Sequence, residues 1–223
     1  MSRTVLAVAA HPDDEVLGAG ATLAKHADAG DEVHVLIVTE GATAQYEDDS
    51  LVAQKEEEAR RCADRLGVQT VHFGRLPDMR LDAVDHVEIN AVIEDVCEKL
   101  RPDVVYTPPN RDVNRDHVAV HASVLVATRP GSGVGRVLAY EVPSGTEWTG
   151  GEDPAFNPNL YVDVNDYVGR KTDAFREYES EQRTYPHPRS DKAIEARATV
   201  RGTEAGFEAA EAFSVVRDFR TDP

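Results

Sequence analysis

Two patterns of apolar residues alternate along the chain. Short continuous apolar runs rich in β-branched residues, at 4–10, 32–39, 70–73, 103–107 and 136–142, have the composition of strands buried on both faces. Between them lie longer segments of helical character: 16–29 before Gly30, 50–66 before Gly67, 84–100 before Arg101-Pro102, and 116–128 before Arg129-Pro130. Glycine and proline at those ends are helix stop signals. Strands alternating with helices of this length imply βαβ units. Right-handed crossovers then build a single Rossmann-like, doubly wound α/β sheet, mostly parallel, in the order about 3-2-1-4-5. After residue 142 the alternation loosens. Segment 160–164 is expected as an edge strand, 166–181 and 190–205 as helices, and 212–219 as a last strand, these being the added C-terminal elements. The turn-rich stretch 143–158 reads as a surface loop rather than a boundary, so 1–223 is expected to form one domain.

Charge narrows the class of partner. Lysine and arginine number 24 against 41 aspartate and glutamate, a formal net charge of −17. Such a field repels phosphate backbones, so nucleic acid and anionic membrane surfaces are expected to be poor partners. The first apolar run is too short for a signal-peptide core or a bilayer span. Cys62 and Cys97 fall in predicted helices and form no C-x-x-C pair. A soluble protein of a reducing cytoplasm is the expectation. Only five of the basic residues are lysine and the acids are spread along the whole chain. That distribution suits either a salt-rich cytoplasm, as in a halophile, or an ordinarily acidic protein.

The chemistry lies at two strand ends. His11, Pro12, Asp13, Asp14 and Glu15 follow the first strand; Asp112, Asn114, Asp116, His117 and His121 follow the fourth. In the order 3-2-1-4-5 those strands are neighbours, and the crevice beyond their carboxyl ends is the switch point where open α/β sheets bind ligands. His11 and Asp14, on a turn stiffened by Pro12, can aim at one point, and His117 can reach it from across the crevice. Two imidazoles and a carboxylate with an open position suit catalytic zinc, and also Fe2+ or another divalent ion. Such an ion lowers the pKa of water from about 16 toward about 7, and Asp13, the spare carboxylate, can take the proton as general base. Alternatively, the run of acids serves only the helix dipole. His121, one helical turn beyond His117, is either a further ligand or a packing histidine. His26, His34, His72, His86 and His187 have no evident acidic partner and are expected to be structural. The first turn lacks G-x-G-x-x-G, which excludes dinucleotide binding.

These residues resemble the PIG-L/LmbE family of metal-dependent N-deacetylases, which acts on N-acetylglucosamine-containing conjugates. The resemblance rests on Ala-His-Pro-Asp-Asp-Glu after the first strand and Asp-His opening the helix after the fourth. Segments 77–81, 140–148 and 186–190 also resemble the family or a prokaryotic subgroup of it. It implies zinc ligands His11, Asp14 and His117, general base Asp13, a sugar contact at Asp78 and a weaker one at Arg80. Asp78 is also readable as a turn residue after Pro77. One departure stands out. The family commonly has H-x-D-H, and here Asn114 occupies the first position. An asparagine amide can donate to an oxyanion but cannot shuttle a proton. Asp13 then makes both proton transfers, another residue makes the second, or the substrate is less demanding than an acetamide. Asp116 is expected in the second shell of the ion or as a helix N-cap.

The function that follows is hydrolysis of an N-acetyl amide on an N-acetylglucosamine-type sugar or glycoconjugate. Metal hydroxide attacks, the ion and Asn114 hold the oxyanion, and Asp13 returns its proton to the leaving nitrogen. The alternatives are an amidase for a different amide, distinguished by loops around Tyr46, Asp78 and Trp148, and a non-catalytic metal- or sugar-binding protein. Apolar residues within 140–148 leave room for homo-oligomer contacts.

Overall fold

The computed structural model of the protein describes residues 2–42, 49–151 and 156–220. Its strands are β1 (Thr4–Ala9), β2 (Glu32–Thr39), β3 (Thr70–Leu76), β4 (Val104–Thr107), β5 (Arg136–Tyr140), β6 (Leu160–Asp163) and β7 (Ala210–Asp218). Its helices are α1 (Asp14–Asp28), α2 (Asp49–Leu66), α3 (His86–Leu100), α4 (Arg115–Ala127), α5 (Val168–Phe175) and α6 (Asp191–Ala205). The strands form one sheet in the order β3-β2-β1-β4-β5-β7-β6. The first five strands are parallel in the expected order, and β7 and β6 extend the sheet antiparallel.

β1 lies inside the sheet between β2 and β4 and is buried beyond Thr4, which is why its sequence is apolar without alternation. Its odd residues Val5, Ala7 and Ala9 pack with α1 and the aromatic residues Tyr140, Phe175, Tyr178 and Phe213. Leu6 and Val8 face the opposite layer with Ile89, Ile93, Val120 and Val124 of α3 and α4. Register places Ala7 beside Val35 on one flank and Tyr106 on the other. The ends of β1 and β4, and the loops they feed, therefore lie side by side.

Two contacts seat the loop after β1. Gly41, at φ +69°, turns so tightly over Pro12 that a side chain there would overlap the pyrrolidine ring. Gly18 of α1 lies against the Tyr140 ring, where a Cβ would collide with it, and the Tyr140 hydroxyl donates to Val8 O at 2.8 Å. Farther along α1, Lys171 Nζ donates to Leu17 O at 2.8 Å and to Glu211 at 2.7 Å. Glu211 also accepts the N–H groups of Ala21 and Thr22. A buried ion pair thus enters the hydrogen-bond ladder of α1 and fastens it to α5 and β7.

The C-terminal third differs in detail from expectation. The helix expected over 166–181 is a 3-10 turn (Asn165–Tyr167), then α5, then a second 3-10 turn (Glu179–Glu181). Tyr178, fully buried, is drawn inward between α5 and that second turn, and its hydroxyl donates to Glu15 at 2.6 Å. The last strand begins two residues earlier than expected, at Ala210. Cys62 and Cys97 are both free and buried. Among the described residues no helix is long and apolar enough to cross a membrane.

Candidate metal centre

His11, at the end of β1, is held by its own turn. Its backbone N–H donates to Asp14 Oδ2 at 2.8 Å, and its Nδ1 lies 3.2 Å from the same oxygen. His117 enters from the first turn of α4, with Nε2 3.2 Å from Asp14 Oδ1 and Nδ1 3.1 Å from Asp112 Oδ2. The two rings have centroids 5.2 Å apart. One ligand atom from each of His11, Asp14 and His117 falls within 4.8 Å of the others, close enough to share an ion.

The polar atoms support that use. Asp14 Oδ1 and both ring nitrogens of His117 are buried yet have no partner in hydrogen-bonding geometry, although they lie at ion-pairing distance. Buried groups left in that state are costly unless something else satisfies them. The charges point the same way. Two imidazoles, supplying at most two positive charges, face the carboxyl groups of Asp14, Asp78, Asp112 and Asp116. Burial pulls His117 down, but Asp14 and Asp112 outweigh it and raise the ring to about 9. Burial likewise opposes the ionisation of Asp14, and the two histidines overcome it, holding the carboxyl well below its usual range. A surplus of buried carboxylate around two imidazoles suits a divalent cation.

A second trio, His11, Asp78 and Asp116, also lies within 4.8 Å. Here the demands are met internally: Asp116 Oδ2 takes His11 Nε2 at 3.2 Å and Oδ1 accepts the Leu81 N–H at 3.0 Å. Asp116 thereby orients the far side of the His11 ring. It is not the N-cap. Asn114 is, its Oδ1 accepting the Asp116 N–H at 2.9 Å. The Asn114 amide Nδ2 faces Met79 Sδ at 3.4 Å. Asp78 is buried, with Oδ1 3.5 Å from His11 Nε2, whereas Arg80 is exposed.

Asp13 occupies an unusual backbone position, φ 120°, and is 2% exposed. Its N–H donates to Glu15 Oε2 at 3.1 Å, which anchors the strained turn. Burial pushes its carboxyl up to about 8, with Arg189 opposing. Arg189 Nη1 lies 2.9 Å from Asp13 Oδ2 and 2.7 Å from Glu181 Oε2, while Nε donates to Ser144 Oγ at 2.8 Å. Asp13 therefore sits beside the trio but is paired to a different cation.

Asp112 and Glu15, named at the strand ends, and Arg189, within segment 186–190, turn out to have roles that the sequence reading did not assign. Asp112 had a usable signal, a carboxylate shortly before a candidate ligand histidine. Arg189 had only the resemblance of segment 186–190, and its pairing with Asp13, 176 residues away, had no signal. His121 packs, its Nδ1 bonded to Pro108 O at 2.8 Å. Two of the histidines expected to lack acidic partners have them: His26 with Asp31 at 2.7 Å and His34 with Glu32 at 3.1 Å. Both acids lie within five residues of their histidine but across a turn or along a strand. Tyr46 lies outside the described residues, and Trp148 is exposed, edge-on to His187.

Fold and site together define an α/β protein with a His–Asp–His cluster at the switch point of its sheet. Residues 6–128 match the family described as PIG-L, GlcNAc-PI de-N-acetylase, and the chain belongs to that family. It is 32% identical over 186 residues to the "uncharacterized deacetylase YaiS" of Escherichia coli K12, covering 79% of this chain and 90% of the relative. It is 28% identical over 198 residues to the diacetylchitobiose deacetylase of Thermococcus kodakarensis, covering 80% and 70% of the two chains. The crystal structure of the conserved protein TT1542 from Thermus thermophilus superposes with a TM-score of 0.79 at 24% identity, covering 99% and 98%, a likeness of fold.

Proposed function

We propose that this chain is a metal-dependent de-N-acetylase that removes acetate from an N-acetylglucosamine-type sugar or glycoconjugate. Zinc is the ion that best suits two imidazoles and a carboxylate, and Fe2+ is the alternative. The observation that carries the reading is the set of buried atoms on Asp13, Asp14 and His117 without hydrogen-bond partners, gathered where one ligand atom each of His11, Asp14 and His117 lies within 4.8 Å of the others. Family membership and deacetylase relatives support the reaction class.

His11, Asp14 and His117 would hold the ion. Bound there, a divalent cation supplies Lewis acidity and acidifies water at neutral pH. Asp116 and Asp112 fix the two imidazoles from behind, at 3.2 and 3.1 Å. Asp13 takes a proton from the attacking water and returns it to the departing nitrogen, so that amide and water become acetate and amine. Arg189, 2.9 Å from Asp13 Oδ2, would hold that carboxylate in place. With its Oδ1 tied to the helix and one amide N–H directed at Met79 Sδ, Asn114 would have its second amide N–H for the developing oxyanion. Asp78 would accept a hydrogen bond from a sugar hydroxyl.

The test is acetate release from N-acetylglucosamine and diacetylchitobiose, with and without a chelator. Release abolished by the chelator is expected. Asp13→Ala should lower turnover at least about 100-fold while the metal content is unchanged. Loss of the ion in that variant would make Asp13 a ligand and overturn the division of roles.

A further inference from the structure

At the far end of the sheet from the candidate centre, a cavity of about 310 Å³ opens between the second half of α1 and β6, above the first residues of β4 and β5. Its floor is apolar, formed by Val104, Leu138, Leu160 and Val162. Arg3, Lys25 and Arg136 line its rim, with Asp31 and Asp218 behind the two arginines rather than among the lining residues. Each cation is anchored yet keeps hydrogen-bond donors to spare. Arg3 holds Asp31 at 2.8 Å through Nη2, Arg136 holds Asp218 at 2.8 Å through Nη2, and Lys25 donates to Asp163 O at 2.7 Å.

Two of the lining residues, His26 and Tyr106, belong to an ordered polar chain that starts at Asp31 behind the wall. Asp31 Oδ2 lies 2.7 Å from His26 Nδ1, and His26 Nε2 lies 2.9 Å from the hydroxyl of Tyr106. A carboxylate on Nδ1 fixes the tautomer, so Nε2 accepts the phenolic proton. Burial lowers the His26 pKa despite Asp31. Tyr106 is 3% exposed and braced edge-on by Phe213 at 5.1 Å. Its position is therefore set by the core as well as by His26.

We propose that this cavity is a second ligand site, separate from the candidate metal centre, for a small organic anion: a carboxylate or phosphate monoester on an apolar body about the size of one or two rings. The volume lies at the lower end of small-molecule sites, roughly 300–1,000 Å³. The apolar floor takes the body, and the three cations take the head group.

The experiment is an amide NMR titration of the full chain with 4-phenylbutyrate, phenyl phosphate, the neutral 4-phenylbutanol and inorganic phosphate. At least one organic anion should saturate at millimolar concentration or below, moving the signals of Tyr106, Leu138 and Val162. The tighter of the two identifies the head group. The alcohol and inorganic phosphate should bind at least about tenfold more weakly, since each lacks one half of the recognition. Lys25→Gln and Arg136→Gln should each weaken binding about tenfold and leave acetate release unchanged. Arg136→Gln also removes a link between β5 and β7, so Lys25→Gln, whose side chain bonds only a carbonyl, provides the cleaner reading. Failure of both anions to saturate, equal binding of the alcohol, or shifts confined to residues around His11 and His117 would each overturn the proposal. Because binding is read directly, the result does not depend on the deacetylase reading.

Discussion

Asp112 shows how much of the candidate centre is arranged by groups that would not touch an ion. Its Oδ2 faces His117 Nδ1 and accepts the Thr146 hydroxyl at 2.8 Å, and its Oδ1 accepts the Asn114 N–H at 2.8 Å. Two donors thus fix one carboxylate, which fixes one imidazole. Asp112→Asn should weaken metal affinity about 10- to 100-fold while leaving the fold intact, as measured by competition with a chromogenic chelator. Unchanged affinity would mean that His117 is oriented by packing alone. At this scale the sequence was informative where chemistry sits next to a strand end. His11, Asp14 and His117 could be brought together because strand order makes the ends of β1 and β4 neighbours. The Arg189–Asp13 pair could not, because it depends on how the segment after α5 folds back over the sheet, and no local pattern encodes that path. The acidic partners of His26 and His34 were within reach of local reasoning but required knowing which side each residue faced.

Elements of the parallel half were legible because burial on both faces leaves apolar strands and periodic helices, punctuated by Gly30, Gly67 and Pro102. The 166–181 segment was not, because burial of Tyr178 breaks a helix that its local composition favours. Attachment of α6 makes a further point. Glu141, just past β5, pairs with Arg197 at 2.7 Å and Arg201 at 2.8 Å. Burial alone would raise the Glu141 pKa, but Arg201 and Arg197 outweigh it and hold the carboxyl below its usual range. A carboxyl lowered on folding stabilises the native state above its unfolded pKa and loses that contribution as pH falls through the folded value. Glu141→Gln should therefore destabilise the protein at neutral pH, by about 1–3 kcal/mol, since Arg197 keeps Glu147 and Arg201 keeps Glu204. The deficit should shrink below about pH 4. Urea unfolding of both proteins at neutral and acidic pH measures it; a deficit independent of pH would assign the loss to packing.

At the scale of the whole molecule, charge and topology act separately. The net charge of −17 opposes compaction by self-repulsion, and salt screens it over about 10 Å at 0.1 M. The thermal midpoint should rise between low and molar KCl. Equal midpoints would show that the acidic surface is already balanced by pairs such as Arg61–Glu177 and Arg176–Asp191, and would remove the salt-adapted reading. Topology, by contrast, is what joins two loops about 100 residues apart at one end of the sheet and leaves a cavity rimmed by Arg3, Lys25 and Arg136 at the other. The most direct measurement of the account is metal analysis with X-ray absorption on the purified chain and on His117→Ala. Stoichiometric divalent metal bound through imidazole nitrogen and oxygen without sulfur, and lost in the variant together with acetate release, is the predicted result. Full metal occupancy in His117→Ala, or acetate release from a metal-free wild-type chain, would contradict it.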